Sequence, residues 1–158
     1  LYNPDKTIDY SRTPASAKYA FTFWAFPRGQ WLDTLRAYLE FSEQYYREHD
    51  FRCNMPLGSY FIRKDVHSLL SYSYDGDIFS IDPIHAYTDK AAWDAFLQAF
   101  NDFACKKNGI PLLNQSPFVA RQHVEAAYGA RWTEFSTKVR EADPERRMLN
   151  PFFAGLLS

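Results

Sequence analysis

Two long segments of helical period are each flanked by short segments of period two, and that interleaving most constrains the fold of this 158-residue chain. From Gln30 to His49 the apolar residues Trp31, Leu32, Leu35, Tyr38, Leu39, Tyr45 and Tyr46 recur at three and four, with Asp33, Arg36, Glu40, Glu43 and Arg47 between them. This is the pattern of an amphipathic helix of about five turns. A second helix is expected with Thr88 as N-cap and Asp89 in its first turn; Trp93, Phe96, Leu97, Phe100, Phe103 and Ala104 form its buried stripe, and Lys106, Lys107 and Gly109 close it.

Strands are expected around these helices. Tyr19 to Phe26 alternates Tyr19, Phe21 and Phe23 with Ala20, Thr22 and Trp24, and Pro27-Arg28-Gly29 ends the run. Gly58 to Lys64 reads as a second strand. Ser68 to Tyr74 and Ile78 to Tyr87 flank Asp75-Gly76-Asp77, a hairpin-turn sequence, and Ile110 to Asn114 reads as the last strand. The order strand, helix, strand, strand, helix, strand predicts an α+β, ferredoxin-like antiparallel sheet (βαββαβ) with both helices on one face.

Ser116-Pro117 is expected to cap a further helix through Ala127, with Gly129 at its end. Arg131 to Glu141 is helical and stops at Asp143-Pro144. Residues 1–18 carry turn formers without a period and read as a lead-in or linker, 19–115 as the sheet domain, and 116–158 as a C-terminal helical segment. The sheet face away from its two helices needs a cover, either these C-terminal helices or a further domain.

Fourteen Phe, eleven Tyr and four Trp make 18% of the chain aromatic. Either the core is unusually aromatic, or some rings face a partner or a ligand cavity. The net charge of −1 comes without a basic run, so an electrostatic foothold for nucleic acid or an anionic membrane is not expected. No apolar run reaches membrane-spanning length, and the first ten residues do not read as a signal peptide. The two cysteines, Cys53 and Cys105, read as buried free thiols. A chain opening on Leu1 without Met reads as a fragment or a processed product.

No Gly-x-Ser-x-Gly, Cys-x-x-Cys, His-Glu-x-x-His or glycine-rich phosphate loop is present, and His49, His67, His85 and His123 lack ligand spacing, so a metal site is not expected. The polar groups of interest are Tyr60, Arg63, Tyr72, Tyr74, His85 and the pair Asn114-Gln115. Arg63 follows the apolar run Phe61-Ile62 and needs solvent, a carboxylate such as Asp65 or Asp77, or a ligand oxygen. Asn114 and Gln115 end an apolar run, where two carboxamides either orient a ligand edge or cap the next helix. His85 is a proton carrier or a satisfied strand histidine.

Several segments together resemble a known family: Phe23-Trp24-Ala25-Phe26-Pro27, Leu69-Leu70-Ser71, Gly109-Ile110-Pro111-Leu112-Leu113-Asn114-Gln115, and Asp143-Pro144 followed by Leu149-Asn150-Pro151. In outline, nearly the whole chain resembles the C-terminal, substrate-covering part of FAD-linked oxidases of the vanillyl-alcohol oxidase superfamily, in its aldonolactone-oxidase-like and sterol-oxidase-like members. The resemblance implies FAD held mainly by a separate domain of the same polypeptide, and hydride transfer from an alcohol-type substrate to the flavin. It implies substrate-side roles for Arg63, Tyr60, Tyr72 and His85, and cofactor-side roles for Asn114, Gln115 and Asn150.

The chain departs from that pattern twice. The His-Trp-x-Lys that aldonolactone oxidases carry after Gly-x-Pro is matched by Leu112-Leu113-Asn114-Gln115, and their Glu-x-Arg by Phe61-Ile62-Arg63, which keeps the arginine and loses the acid. These changes favour a less polar substrate and identify no carboxylate base. A second reading is a free-standing ferredoxin-like module that binds a small molecule or forms a homodimer through its sheet. A third is a small independent oxygenase or isomerase using His85 or a tyrosine.

Overall fold

The computed structural model describes residues 19–86 and 89–158. In chain order these form β1 (Tyr19–Phe21), β2 (Trp24–Pro27), α1 (Trp31–His49), β3 (Phe61–Ile62), β4 (Ile78–Ile81), β5 (Ile84–Ala86), α2 (Lys90–Lys106), β6 (Ile110–Pro111), α3 (Arg121–Tyr128), α4 (Ala130–Ala142) and α5 (Pro151–Leu157). The class is α+β, as expected. One sheet runs β3-β4-β2-β6 and a second pairs β1 with β5, all antiparallel.

The two sheets share one register: Tyr19 lies opposite Ala86, Trp24 opposite Ile81 and Pro27 opposite Ile78. Between them Thr22 N–H donates to the Pro83 carbonyl at 3.2 Å. Pro83 has no N–H to return, and this breaks each long strand into two. Counted as broken strands, the elements give the order second, third, first, last, which is consistent with a ferredoxin-like βαββαβ arrangement.

Both helices cover one sheet face because their apolar stripes meet Trp24, Phe26 and Ile81 there. Tyr38 and Phe41 of α1 meet Phe100 and Phe103 of α2, the closest pair being Phe41 and Phe103 with centroids 4.8 Å apart. Most aromatic rings are therefore core material. Leu32 and Leu39, read as part of the α1 stripe, are instead exposed. The buried Asn101 carboxamide accepts from Trp24 Nε1 at 2.9 Å and donates to the Pro117 carbonyl at 2.8 Å, tying α2 to β2 and to the segment before α3.

The face opposite the helices carries Phe23, Ala25 and Ile78, packed against Ile62, Tyr72 and Leu112. Its centre is thus covered by residues between β3 and β4 and after β6.

Several expected boundaries move. The hairpin around Asp75-Gly76-Asp77 does not form, because Ser68 to Tyr74 is a run of turns and β4 pairs with β3 instead. Serine chemistry is the reason: Ser71 N–H bonds to the Ser68 carbonyl at 3.0 Å, and Ser68 and Ser71 hydroxyls accept from Leu70 and Ser73 N–H, which satisfies the backbone without a ladder. The second strand shortens to β3, with one further bridge between Gly58 and Asp82. The last strand stops at Pro111, and Gln115 N–H closes a turn on the Leu112 carbonyl at 2.8 Å. The helix expected from Pro117 starts at Arg121, since Phe118 has φ of 61° and is outside the helical region.

Asp89, not Thr88, caps α2: its carboxylate accepts from Ala92 N–H at 3.1 Å, while Thr88 lies outside the described residues. Residues 1–18, read as a lead-in, also lie outside them. Both cysteines are free and half-buried.

Candidate functional site

The truncation of β6 creates the site. The β2 and β6 ladder pairs Trp24 with Pro111, and its next step is the Leu112 N–H on the Phe23 carbonyl at 3.2 Å. Beyond that the chain turns away, so β1 has β5 on one edge and no described strand on the other. A cavity of about 760 Å³ fills the gap, with Phe21, Leu70, Leu112, Phe152 and Phe153 among its walls and Asn114, Gln115 and Asn150 at its polar positions. The three residues read as cofactor-facing are thus brought together from two segments far apart in sequence.

Each polar group is held by a local device. Ser116 Oγ donates to the Phe23 carbonyl at 2.6 Å and anchors the turn that presents Asn114 and Gln115. Asn150 Oδ1 accepts from Phe153 N–H at 2.9 Å as the N-cap of α5, which fixes both phenylalanines against the cavity. Packing of α5 on α3, and of Phe153 on Phe135 with centroids 5.8 Å apart, supports that wall.

The residues read as substrate-facing are divided. Tyr60 and Tyr72 both approach the Phe23 ring, with centroids 6.5 and 5.2 Å away, on the face opposite the helices. Tyr72 also borders a second cavity of about 320 Å³ with Asp75, Asp77 and Cys105. Arg63 is exposed just past β3, and both acids considered for it are engaged elsewhere, Asp65 with His67 and Asp77 with Arg28. His85 lies buried on the helix face, stacked on Trp93 at 5.5 Å and near Phe51 at 4.9 Å. Burial lowers its pKa, with Asp89 opposing, so the imidazole is held toward its neutral form.

One acid escapes a reading of spacing. Asp82, at the end of β4, is 3% exposed and its Oδ1 has no hydrogen-bond partner. Desolvation raises its pKa to about 7, with the Ser80 hydroxyl pulling the other way. The available signal was an Asp-Pro pair inside an apolar strand, Ile81 to Ile84. Arg131 was also missed. It donates to the carbonyls of Leu69 and Ser71 at 2.8 and 3.0 Å and pairs with Asp75 at 3.3 Å, and so clamps the serine-rich turns onto the start of α4. Among the described residues no group of three His, Cys, Asp or Glu side chains is placed to hold a metal ion, and no helix is long and apolar enough to cross a membrane.

The family model for D-arabinono-1,4-lactone oxidase matches residues 8–156. The chain belongs to the D-arabinono-1,4-lactone oxidase family. The region matched is the C-terminal part of aldonolactone-oxidase-like FAD-linked oxidases, whose members are flavoproteins with an FAD-binding domain. No curated protein sequence matches the chain.

Proposed function

We propose that this member of the D-arabinono-1,4-lactone oxidase family forms the substrate-side cap of an FAD-dependent oxidoreductase acting on an alcohol-type substrate. The observation that carries the reading is the single cavity uniting Asn114, Gln115 and Asn150 in a chain matched over residues 8–156 by a flavin-linked oxidase family.

The donor set suits a flavin ring edge. Such an edge alternates carbonyl and N–H groups, and carboxamides both donate and accept. Asn114 and Gln115 supply such groups, while Asn150 holds the backbone beside them. No cavity-lining residue carries the charge that a diphosphate needs, so the reading leaves the diphosphate to the FAD-binding domain of the same polypeptide. Flavin, when bound, supplies the hydride acceptor. The chain's own residues bind and orient: Phe21, Leu112, Phe152 and Phe153 form an apolar wall, and Tyr60 and Tyr72 extend an aromatic surface along the same sheet face.

The test is the visible spectrum of the full-length protein before and after denaturation. Flavin absorption is expected, with flavin reduction on adding an alcohol substrate. Gln115→Ala should slow that reduction about tenfold, the order expected for one lost hydrogen bond. A full-length protein that neither carries nor takes up flavin overturns the proposal.

A further inference from the structure

Helix α1 carries two of the most exposed large apolar side chains among the described residues, Leu32 at 63% and Leu39 at 58% exposed. We infer that α1 is the contact surface of a symmetric dimer, in which the same helix of a second copy lies antiparallel along it.

A lone exposed leucine is ordinary on a protein surface. Leu32, Leu35, Leu39, Ser42, Tyr46 and His49 instead recur at alternating steps of three and four along α1, which is the spacing of a seam between two helices. The side chains that α1 buries in the core, Tyr38 and Tyr45, fall outside this series, so the stripe runs beside the core-facing residues rather than among them. The apolar surface continues past the start of the helix. Trp31 stacks on Phe79 at 5.0 Å, and Phe79 meets Phe61, 45% exposed on the edge strand β3, at 5.2 Å. None of these residues borders the cavity of Asn114, Gln115 and Asn150, so a domain seated over that cavity leaves the stripe open.

The charges beside the stripe select the occupant. Arg36 and Glu43 follow Leu35 and Ser42 in the sequence and lie seven residues apart, on the solvent side of the seam. An antiparallel pairing that sets Leu39 opposite the partner's Ser42 also sets Leu35 opposite the partner's Tyr46 and Leu32 opposite the partner's His49. Each leucine then packs on a small side chain or a ring, and Arg36 faces the partner's Glu43. The two-fold axis makes that ion pair twice. A parallel pairing offers no such match, because Arg36 and Glu43 then face the partner's Trp31 and the partner's Tyr38. Within one chain Arg36 contacts Asp33 at 3.3 Å, and Glu43 contacts Arg47 at 3.4 Å and Arg52 at 3.3 Å. These are exposed pairs of small worth, and they yield to the intermolecular pair.

The test is sedimentation velocity of the full-length protein over about a hundredfold range of concentration, which reads association whether or not flavin is bound. A dimer that grows with concentration is expected. Leu39→Glu should weaken it at least about tenfold, because two carboxylates are then set in the apolar seam, and circular dichroism should show unchanged helix content since Leu39 is exposed. Arg36→Glu should weaken the dimer about tenfold by turning both ion pairs into like charges, and combining it with Glu43→Arg should restore the affinity to within about threefold. A protein that stays monomeric throughout overturns the inference and leaves the stripe to a different partner chain. A dimer that Leu39→Glu leaves intact also overturns it, since association then uses another surface. Failure of the double charge swap to restore what Arg36→Glu removes overturns the antiparallel pairing.

Discussion

Asp82 shows how one residue can set a pH dependence. Its carboxyl is buried on the sheet face with Oδ1 unpartnered, and its pKa is raised from 3.8 to about 7 by desolvation. A raised folded-state value means that the folded protein binds more protons than the unfolded chain between those limits. Stability therefore falls as pH rises from about 4 to 7 and levels off above. A shift of this size corresponds to at most about 4 kcal/mol. Asp82→Asn, which cannot ionise, is expected to be more stable than the wild type at pH 8 by about 2–4 kcal/mol and to lose most of that advantage at pH 4.5. Urea midpoints at the two pH values check it, and an advantage independent of pH contradicts the assignment. His123 shows a different outcome of burial. Its Nδ1 accepts from Ala120 N–H at 3.1 Å, so Nε2 carries the proton and donates to Asp102 at 2.8 Å, and the ring serves to start α3 and join it to α2.

Among the elements, the junction of α2 and β6 is the tightest. Asn108 takes the left-handed conformation at φ of 57°, and Gly109 N–H then bonds to the Ala104 carbonyl at 2.9 Å, ending the helix. Gly109 is needed for space: a Cβ there would lie 2.8 Å from the Ala104 carbonyl oxygen and from Phe26, and 2.9 Å from Trp24. Gly109→Ala should cost about 2–3 kcal/mol, in the range of overpacking, because one of the colliding atoms is backbone. Chemical denaturation measures this; a loss below about 0.5 kcal/mol would show that the junction yields. The same elements show what was legible. Helices α1 and α2 were plain from their period, since a stripe of aromatic residues over four turns has few other solutions. Strand β6 was overextended because apolar composition continues past the point where Pro111 and the turn at Leu112 end the pairing. The hairpin failed where Ser68, Ser71 and Ser73 offered the backbone local partners.

At the scale of the molecule, Arg131 joins the serine-rich turns to the start of α4. Its guanidinium is mostly covered, lies over Tyr74 at 4.4 Å and over Tyr128 at 5.2 Å, and holds two carbonyls of the turns that cover the sheet. Arg131→Ala should cost about 2–3 kcal/mol, as expected when hydrogen bonds to a charged group are lost. It should also raise amide exchange selectively over residues 68–77, with α1 unchanged. Uniform exchange across the chain would mean that the clamp is not local.

Period and punctuation determined the α+β class and the order of elements, and the motif segments pointed to the flavin-linked oxidase resemblance that the match over residues 8–156 bears out. These properties are local or linear along the chain, so the sequence carries them directly. Only the tertiary structure decided which polar groups converge. Asn114 and Asn150 share a cavity because β6 stops and α5 folds back on α3. His85 faces the aromatic core because the β1 and β5 register turns it to the helix side, and Asp82 Oδ1 is left without a partner by packing that no spacing encodes. Convergence depends on where strands end and on which surfaces exclude water, and both arise from contacts between residues distant in the chain.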